Sequence, residues 1–227
     1  MPEELITLQE WANVDDDDPD TTLAVVFTDI VDSTNLMRAK KDPGMFVLLV
    51  SHFAAARRLK RLHKGYEIKL IGDSYMAAFR TAGRAMRFAL DFGGDTGHAE
   101  VKIRAGINSG QVRIRENDVY GLMVNLASRL CHIKVPRFPD SIFISAAAKD
   151  GIDSDFGTDH PAFRIISRRE MNIPSFEGKE VFHVIPLPRV PPPTVIPPRG
   201  LGSPPKQIEP RVTLPDPPDF KIPPRRR

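Results

Sequence analysis

The 227-residue sequence predicts an α+β sandwich of ferredoxin-like type, β-α-ββ-α-β, with extra strands after it. Three observations carry that reading. Strand-like apolar runs and helix-spaced stretches alternate in this order between residues 21 and 115. Residues 66–79 hold two short strand-like runs around Gly72-Asp73-Ser74, the pattern of a tight hairpin. Composition then sets the limits: an acidic leader over 1–20, a folded domain over 21–188 and a proline-rich basic tail over 189–227.

Taken in order, residues 21–29 form the first strand, apolar and rich in Val. Ser33 and Thr34 are caps for the helical stretch 34–63, where Met45, Leu48, Leu49, His52, Phe53 and Ala56 recur at three- and four-residue spacing. Pro43-Gly44 interrupts it, so two helices or a break are expected there. After the hairpin, a helix over 81–93 presents Ala82, Ala85, Met86, Ala89 and Leu90 on one face and stops at Gly93-Gly94. Val101–Asn108 and Gln111–Arg115 read as a strand pair around Ser109-Gly110. A helix over 121–133, a strand at 141–144, a short helix at 145–151 and strands near 162–168 and 179–185 complete the domain. Ahead of it, Glu3–Trp11 has the spacing of a short helix inside a leader otherwise read as solvated and flexible, with its packing left open.

The single cysteine, Cys131, excludes an internal disulfide and suits a reducing cytosol; inside a helix it reads as a small buried residue rather than a nucleophile. With no signal-peptide pattern and no apolar run of membrane-spanning length, a soluble, stand-alone, cytoplasmic protein is expected. The leader carries eight acidic residues and no Lys or Arg, and the tail eight Lys/Arg against three Asp/Glu. The net charge of +3 therefore hides a mildly basic central domain, which suits a polyanionic ligand. No recognition motif or aromatic stacking run accompanies that charge, so nucleic acid is not expected as a partner. Fifteen of the 22 prolines fall in the last 42 residues, a composition that excludes helix and central strand. That arm is either a solvated tail or a docking segment for an unknown protein or an acidic surface.

Two carboxylates stand out. Leu23–Thr28 runs straight into Asp29, and Asp73 sits at the hairpin tip. Gly-Asp is also ordinary turn chemistry, so Asp73 alone signals little. If the two strands are neighbours, however, Asp29 and Asp73 converge, and converging carboxylates repel unless a cation joins them. Hard divalent ions are the natural remedy, and two of them about 4 Å apart can clamp an in-line phosphoryl displacement.

Phe27-Thr28-Asp29-Ile30-Val31-Asp32-Ser33-Thr34 and Gly65–Asp73 resemble the two metal-site motifs of class III nucleotide cyclases. Arg104–Gly110 and Asp118–Leu130 follow in that family's order, so the resemblance spans about residues 21–188. It implies the class III cyclase fold and conversion of ATP to 3′,5′-cyclic AMP and pyrophosphate. Asp29 and Asp73 would bind two Mg²⁺ or Mn²⁺ ions per active site, with the Ile30 carbonyl as a further ligand. By the same resemblance Asn125 orients the ribose and Arg129 meets charge on the α-phosphate, while Lys69 and Asp118 read the base. Lys179 falls where relatives place a triphosphate-binding lysine.

Each of these residues also has a plainer reading. Arg129 could be a solvated helix charge, Lys69 a strand-edge lysine and Asp118 a loop carboxylate. Asn125 is less easily dismissed, since Asn is a poor helix-interior residue. The resemblance also implies a homodimer, because the carboxylates come from one subunit and the remaining groups from the other. Ser33, Leu122-Met123 and residues 132–139 depart from the family's pattern. Two other readings stand beside the adenylate cyclase: a cyclase for guanine or pyrimidine nucleotides, the latter in antiphage signalling, and a catalytically silent nucleotide-binding or scaffold module.

Overall fold

The fold is that of a computed structural model, in which residues 6–15, 17–135, 137–168, 171 and 173–187 are described. The proline-rich segment from residue 188, with its expected docking role, lies outside the described residues. Helix α1 (Leu8–Ala12) precedes strand β1 (Asp20–Ile30), helix α2 (Ser33–Leu62), strands β2 (Tyr66–Ile71) and β3 (Ser74–Phe79), and helix α3 (Ala82–Gly94). Then come β4 (Ile103–Arg115), β5 (Asp118–Tyr120), α4 (Leu122–Cys131), β6 (Ile142–Ser145), α5 (Ala146–Phe156), β7 (Phe163–Ser167) and β8 (Val181–Pro186). The strands form one sheet in the order β2-β3-β1-β4-β6-β8-β7, with β5 paired to β4. Its β2-β3-β1-β4 portion is the expected ferredoxin-like unit, and the later strands extend it.

Strand β1 is central because its sequence can be buried on both faces: every residue from Leu23 to Ile30 is buried. Ala24, Val26 and Ile30 meet the core under α2, α3 and α5, whereas Leu23, Val25 and Phe27 meet the one under α1 and α4. Among the described residues no helix is long and apolar enough to cross a membrane.

The break expected in the long helix falls at Lys41 (φ 57°, ψ 171°). Pro43 thereby comes early in the second segment, where its missing N–H loses no helical partner. That segment is fixed to the hairpin by Arg57, which donates to both Glu67 oxygens at 2.8 and 2.9 Å. Tyr75 Oη donates to the same carboxylate at 3.1 Å, and burial pushes its phenol well above the usual range.

Three expectations need correction. The strand pair around Ser109-Gly110 is one continuous strand, β4. Its partner β1 is long enough to hold it from Asp20↔Arg113 to Ile30↔Ile103, so Ser109 and Gly110 sit in the ladder opposite Ala24 and Leu23. Helix α5 continues through Gly151 to Phe156, beyond the expected end at 151, as it packs against α3. Part of the leader read as flexible is folded: α1 carries a Thr7/Glu10 capping box and buries Leu8 and Ala12.

Helix α4 is seated by β4. A Cβ on Gly106 would lie 2.2 Å from both Ala127 O and Cys131 N, so the helix backbone rests directly on that glycine. Asn108 Nδ2 donates to Met123 O at 2.9 Å and fixes the start of the helix. Gly106→Ala is expected to displace α4 and lower stability by about 3 kcal/mol, read from the midpoint of urea unfolding.

Candidate active site

The ladders bring the two carboxylates to one end of the sheet. β1 pairs with β3 up to Thr28↔Tyr75, and the next step sets Asp29 beside Ser74, with Asp73 following in the turn. Gly72 takes φ 65° there, while Asp73 keeps a negative φ, the sign pattern of a two-residue type II′ turn. Asp29 is buried, and Ser74 Oγ donates to its Oδ1 at 2.9 Å. On the other side, β4 places Arg104 in register with Asp29, and the guanidinium pairs with Oδ2. Asp73 is less well served. Its Oδ2 is buried without a hydrogen-bond partner among the described residues.

An unpartnered buried carboxylate oxygen beside a second buried carboxylate is costly by itself. The donor set, two carboxylates next to the Ile30 backbone, has the chemistry of a hard divalent cation site and suits Mg²⁺ or Mn²⁺. Among the described residues no three or more His, Cys, Asp or Glu side chains cluster as metal ligands. Such an ion would therefore complete its shell with backbone, water or substrate oxygens.

A cavity of about 430 Å³ opens beside Ile30, with Asp32, Ser33, Thr34, Arg104 and Lys134 among its lining residues. The cap expected at Ser33 or Thr34 falls instead on Asp32, which begins α2 in the left-handed region (φ 53°) and makes no side-chain capping bond to its first turn, so Ser33 and Thr34 lie within the helix. Lys134 and the helix start would favour an anionic ligand, against the Asp32 carboxylate in the same wall and with Arg104 already paired to Asp29. The 132–139 stretch, which departs from the family's pattern, thus contributes Lys134, Val135 and Pro139 to the wall of this cavity.

Lys69 and Asp118 come together as well. Lys69 follows a β-bulge in β2, and its Nζ forms an ion pair with Asp118 Oδ2, while Asp118 Oδ1 accepts from Val119 N at 2.9 Å. Asn125 and Arg129 lie one turn apart on α4, both exposed, and neither has a hydrogen bond or ion pair among the described residues. Lys179 is exposed in the loop before β8. Since β4 is antiparallel to β1, β6 parallel to β4 and β8 antiparallel to β6, β8 starts about level with Val25 of β1, and the loop before it leads away from Asp29. Within one chain, then, Lys179 is not brought to the carboxylates.

Cys131 is buried with its Sγ 3.6 Å from Arg104 O, and burial pushes the thiol far above its usual range. It is a packing residue, as expected. His52 is also structural: it is fully buried against Phe92, its Nδ1 meets Thr96 O at 3.0 Å, and burial holds its pKa below the usual value. Ser74, Arg104 and Lys134 were not among the site residues expected from sequence. Ser74 and Arg104 adjoin or lie in the motifs, but only the strand register reveals what they touch.

This end of the sheet marks the chain as a nucleotide cyclase catalytic domain. It belongs to the adenylate and guanylate cyclase catalytic-domain family, whose profile matches residues 17–185. An adenylate cyclase of Streptomyces coelicolor is 33% identical over 138 residues, 60% of this chain and 35% of that protein. The chain thus spans about a third of the length of this curated relative. The adenylyl cyclase CyaB of P. aeruginosa superposes with a TM-score of 0.63 at 19% identity, over 75% of this chain and 96% of that one. The guanylate cyclase domain of RhGC from Catenaria anguillulae, in complex with GTP, superposes with a TM-score of 0.60 at 22% identity, over 73% and 96%. At these identities the structural likeness is one of fold.

Asp29→Asn and Asp73→Asn are each expected to abolish Mn²⁺ binding measured by titration calorimetry or electron paramagnetic resonance. Asp140→Asn, at an exposed carboxylate paired with Lys102, is expected to leave it unchanged.

Proposed function

We propose that the chain converts ATP to 3′,5′-cyclic AMP and pyrophosphate at sites shared by two copies of itself. The observation that carries the base assignment is the contact of Lys69 Nζ with Asp118 Oδ2, which sets a donor and an acceptor side by side. Adenine offers an acceptor at N1 and a donor at its 6-amino group, so the pair complements it. Guanine reverses that pattern and would leave both protein groups mismatched.

In the reaction the ribose 3′-hydroxyl gives up its proton to solvent water and its oxygen bonds to the α-phosphorus, as the bond to the α–β bridging oxygen breaks and pyrophosphate leaves. Both reactants belong to one molecule, so the protein supplies position and charge rather than a nucleophile. Two divalent ions per site, Mg²⁺ or Mn²⁺ held by Asp29, Asp73 and the Ile30 carbonyl, would acidify the 3′-hydroxyl and neutralise the triphosphate. Arg104 and Lys134 line the cavity beside those carboxylates and would face the polyphosphate. Asn125 would orient the ribose, and Arg129 would meet the charge growing on the α-phosphate with a permanently ionised, planar group. Lys179 would add a cation to the triphosphate.

A second copy enters because one chain does not gather these groups. Asn125 and Arg129 are exposed without side-chain partners among the described residues, and Lys179 precedes the end of β8 that points away from Asp29. A symmetric pair would present the helix groups of each copy to the carboxylates of the other. A cyclase for another base is the second reading, motivated by the GTP complex on this fold.

The full chain, incubated with each of the four ribonucleoside triphosphates and Mg²⁺ or Mn²⁺, is expected to yield a cyclic product from ATP, detected by mass. Product from GTP, UTP or CTP alone would overturn the base assignment, and Asp73→Ala is expected to reduce any product to background. Asp73→Ala and Arg129→Ala, each inactive alone, are expected to recover about a quarter of wild-type activity when co-refolded. Half the dimers are then mixed, and each of these has one intact site. No recovery would remove the shared-site arrangement.

A further inference from the structure

Lys69 and Asp118 lie on strands that share no ladder: β2 is at the sheet edge beside β3, and β5 hangs from β4. Their separation is therefore set by no direct ladder, only through the three strands between them. Helix α1 reaches both strands. Its first-turn N–H, that of Leu8, donates to Asn117 Oδ1 at 2.9 Å, and Asn117 adjoins Asp118 in the β4–β5 turn. On the other side Tyr66 Oη donates to Ile6 O at 3.2 Å, and the Trp11 and Tyr66 rings lie 5.6 Å apart. Tyr66 begins the strand that carries Lys69.

The rest of α1 holds this bridge rigid. Leu8 is fully buried in the core that includes Val112, Ile114 and Val119, the residues flanking the β4–β5 turn. Arg80, just past β3, bonds to Trp11 O and places its guanidinium 5.4 Å from the Trp11 ring centroid. A five-residue helix has no stability of its own in water, so α1 exists by virtue of these contacts. The turn it holds is already well defined: Glu116 and Asn117 both have positive φ, 53° and 59°, as a type I′ hairpin requires.

We propose that α1 is a positioning clamp for base selection, tying the β2 strand to the β4–β5 turn so that Lys69 and Asp118 meet at a fixed separation. The proposal rests on the reading of those two residues as the base-recognising pair. Discrimination between adenine and guanine depends on one donor and one acceptor being held where the wrong base cannot adjust to both. With β5 free to shift against β2, either base can draw the pair into a compromise, and selectivity falls while the carboxylate end of the sheet is untouched.

The test is the ratio of affinities of the full chain for the unreactive α,β-methylene analogues of ATP and GTP, measured calorimetrically with Mn²⁺. Asn117→Gly keeps a residue suited to positive φ but removes the acceptor for Leu8 N, and Tyr66→Phe removes the donor to Ile6 O. The double variant is expected to lose about tenfold in the ATP-to-GTP ratio, with Mn²⁺ affinity and the far-ultraviolet dichroism spectrum unchanged. Asn117→Asp keeps an acceptor and is expected to retain the ratio. Lys69→Ala is measured alongside. If it collapses the ratio and the double variant does not, the clamp is wrong and the base-reading pair stands. If Lys69→Ala also leaves the ratio unmoved, the base-reading pair is wrong and the clamp falls with it. A double variant that loses its spectrum is replaced by Tyr66→Phe alone, for which an unchanged ratio overturns the clamp.

Discussion

The arrangement depends on the pairing of β1 with strands on both of its sides. A strand buried on both faces carries an aspartate at its last position but one, and its two ladders decide what that aspartate meets. One ladder sets Ser74 and the Asp73 turn beside it; the other sets Arg104. Asp29 thereby gains a partner for each oxygen, while Asp73 keeps one buried oxygen with none among the described residues. Like charges gathered where water is largely excluded are tolerable only with compensation, and here it is incomplete. That imbalance is what the proposed divalent ions would relieve.

The groups proposed for nucleotide recognition are distributed differently. They occupy the outward face of α4, the contact between β2 and β5, and the loop before β8. Each is exposed or half-exposed, whereas Asp29 and the core beneath it are buried. With Asp29 buried, Asp73 half-buried and the proposed recognition groups on display, the proposed site would be completed against another surface. The two-copy proposal follows from this division of labour.

Helix α4 shows how a motif can act through geometry rather than contact with a ligand. In Arg104–Gly110 one residue pairs with Asp29, one glycine admits the helix backbone and one asparagine ties down the helix start. The helix that displays Asn125 and Arg129 is therefore placed by the same strand that flanks Asp29. A shift of β4 moves both sets of groups.

Much of this was legible in the sequence because it is local. Apolar periodicity marks the helices and strands, Pro43 marks a break close to Lys41, and Gly72-Asp73 marks a two-residue turn with its carboxylate at the tip. The motif order indicated the family for the same reason, since each motif is a short stretch with its own backbone requirement. Tertiary structure alone decided the rest. Whether Ser109-Gly110 is a turn or part of a strand depends on the length of β1, more than 70 residues away. Whether α1 folds depends on an acceptor 109 residues downstream and on an apolar surface that exists only once the sheet has formed. Propensity and turn chemistry are properties of neighbouring residues, whereas the partners of Asp29, Asp73 and Lys69 are set by which distant strands come to lie side by side.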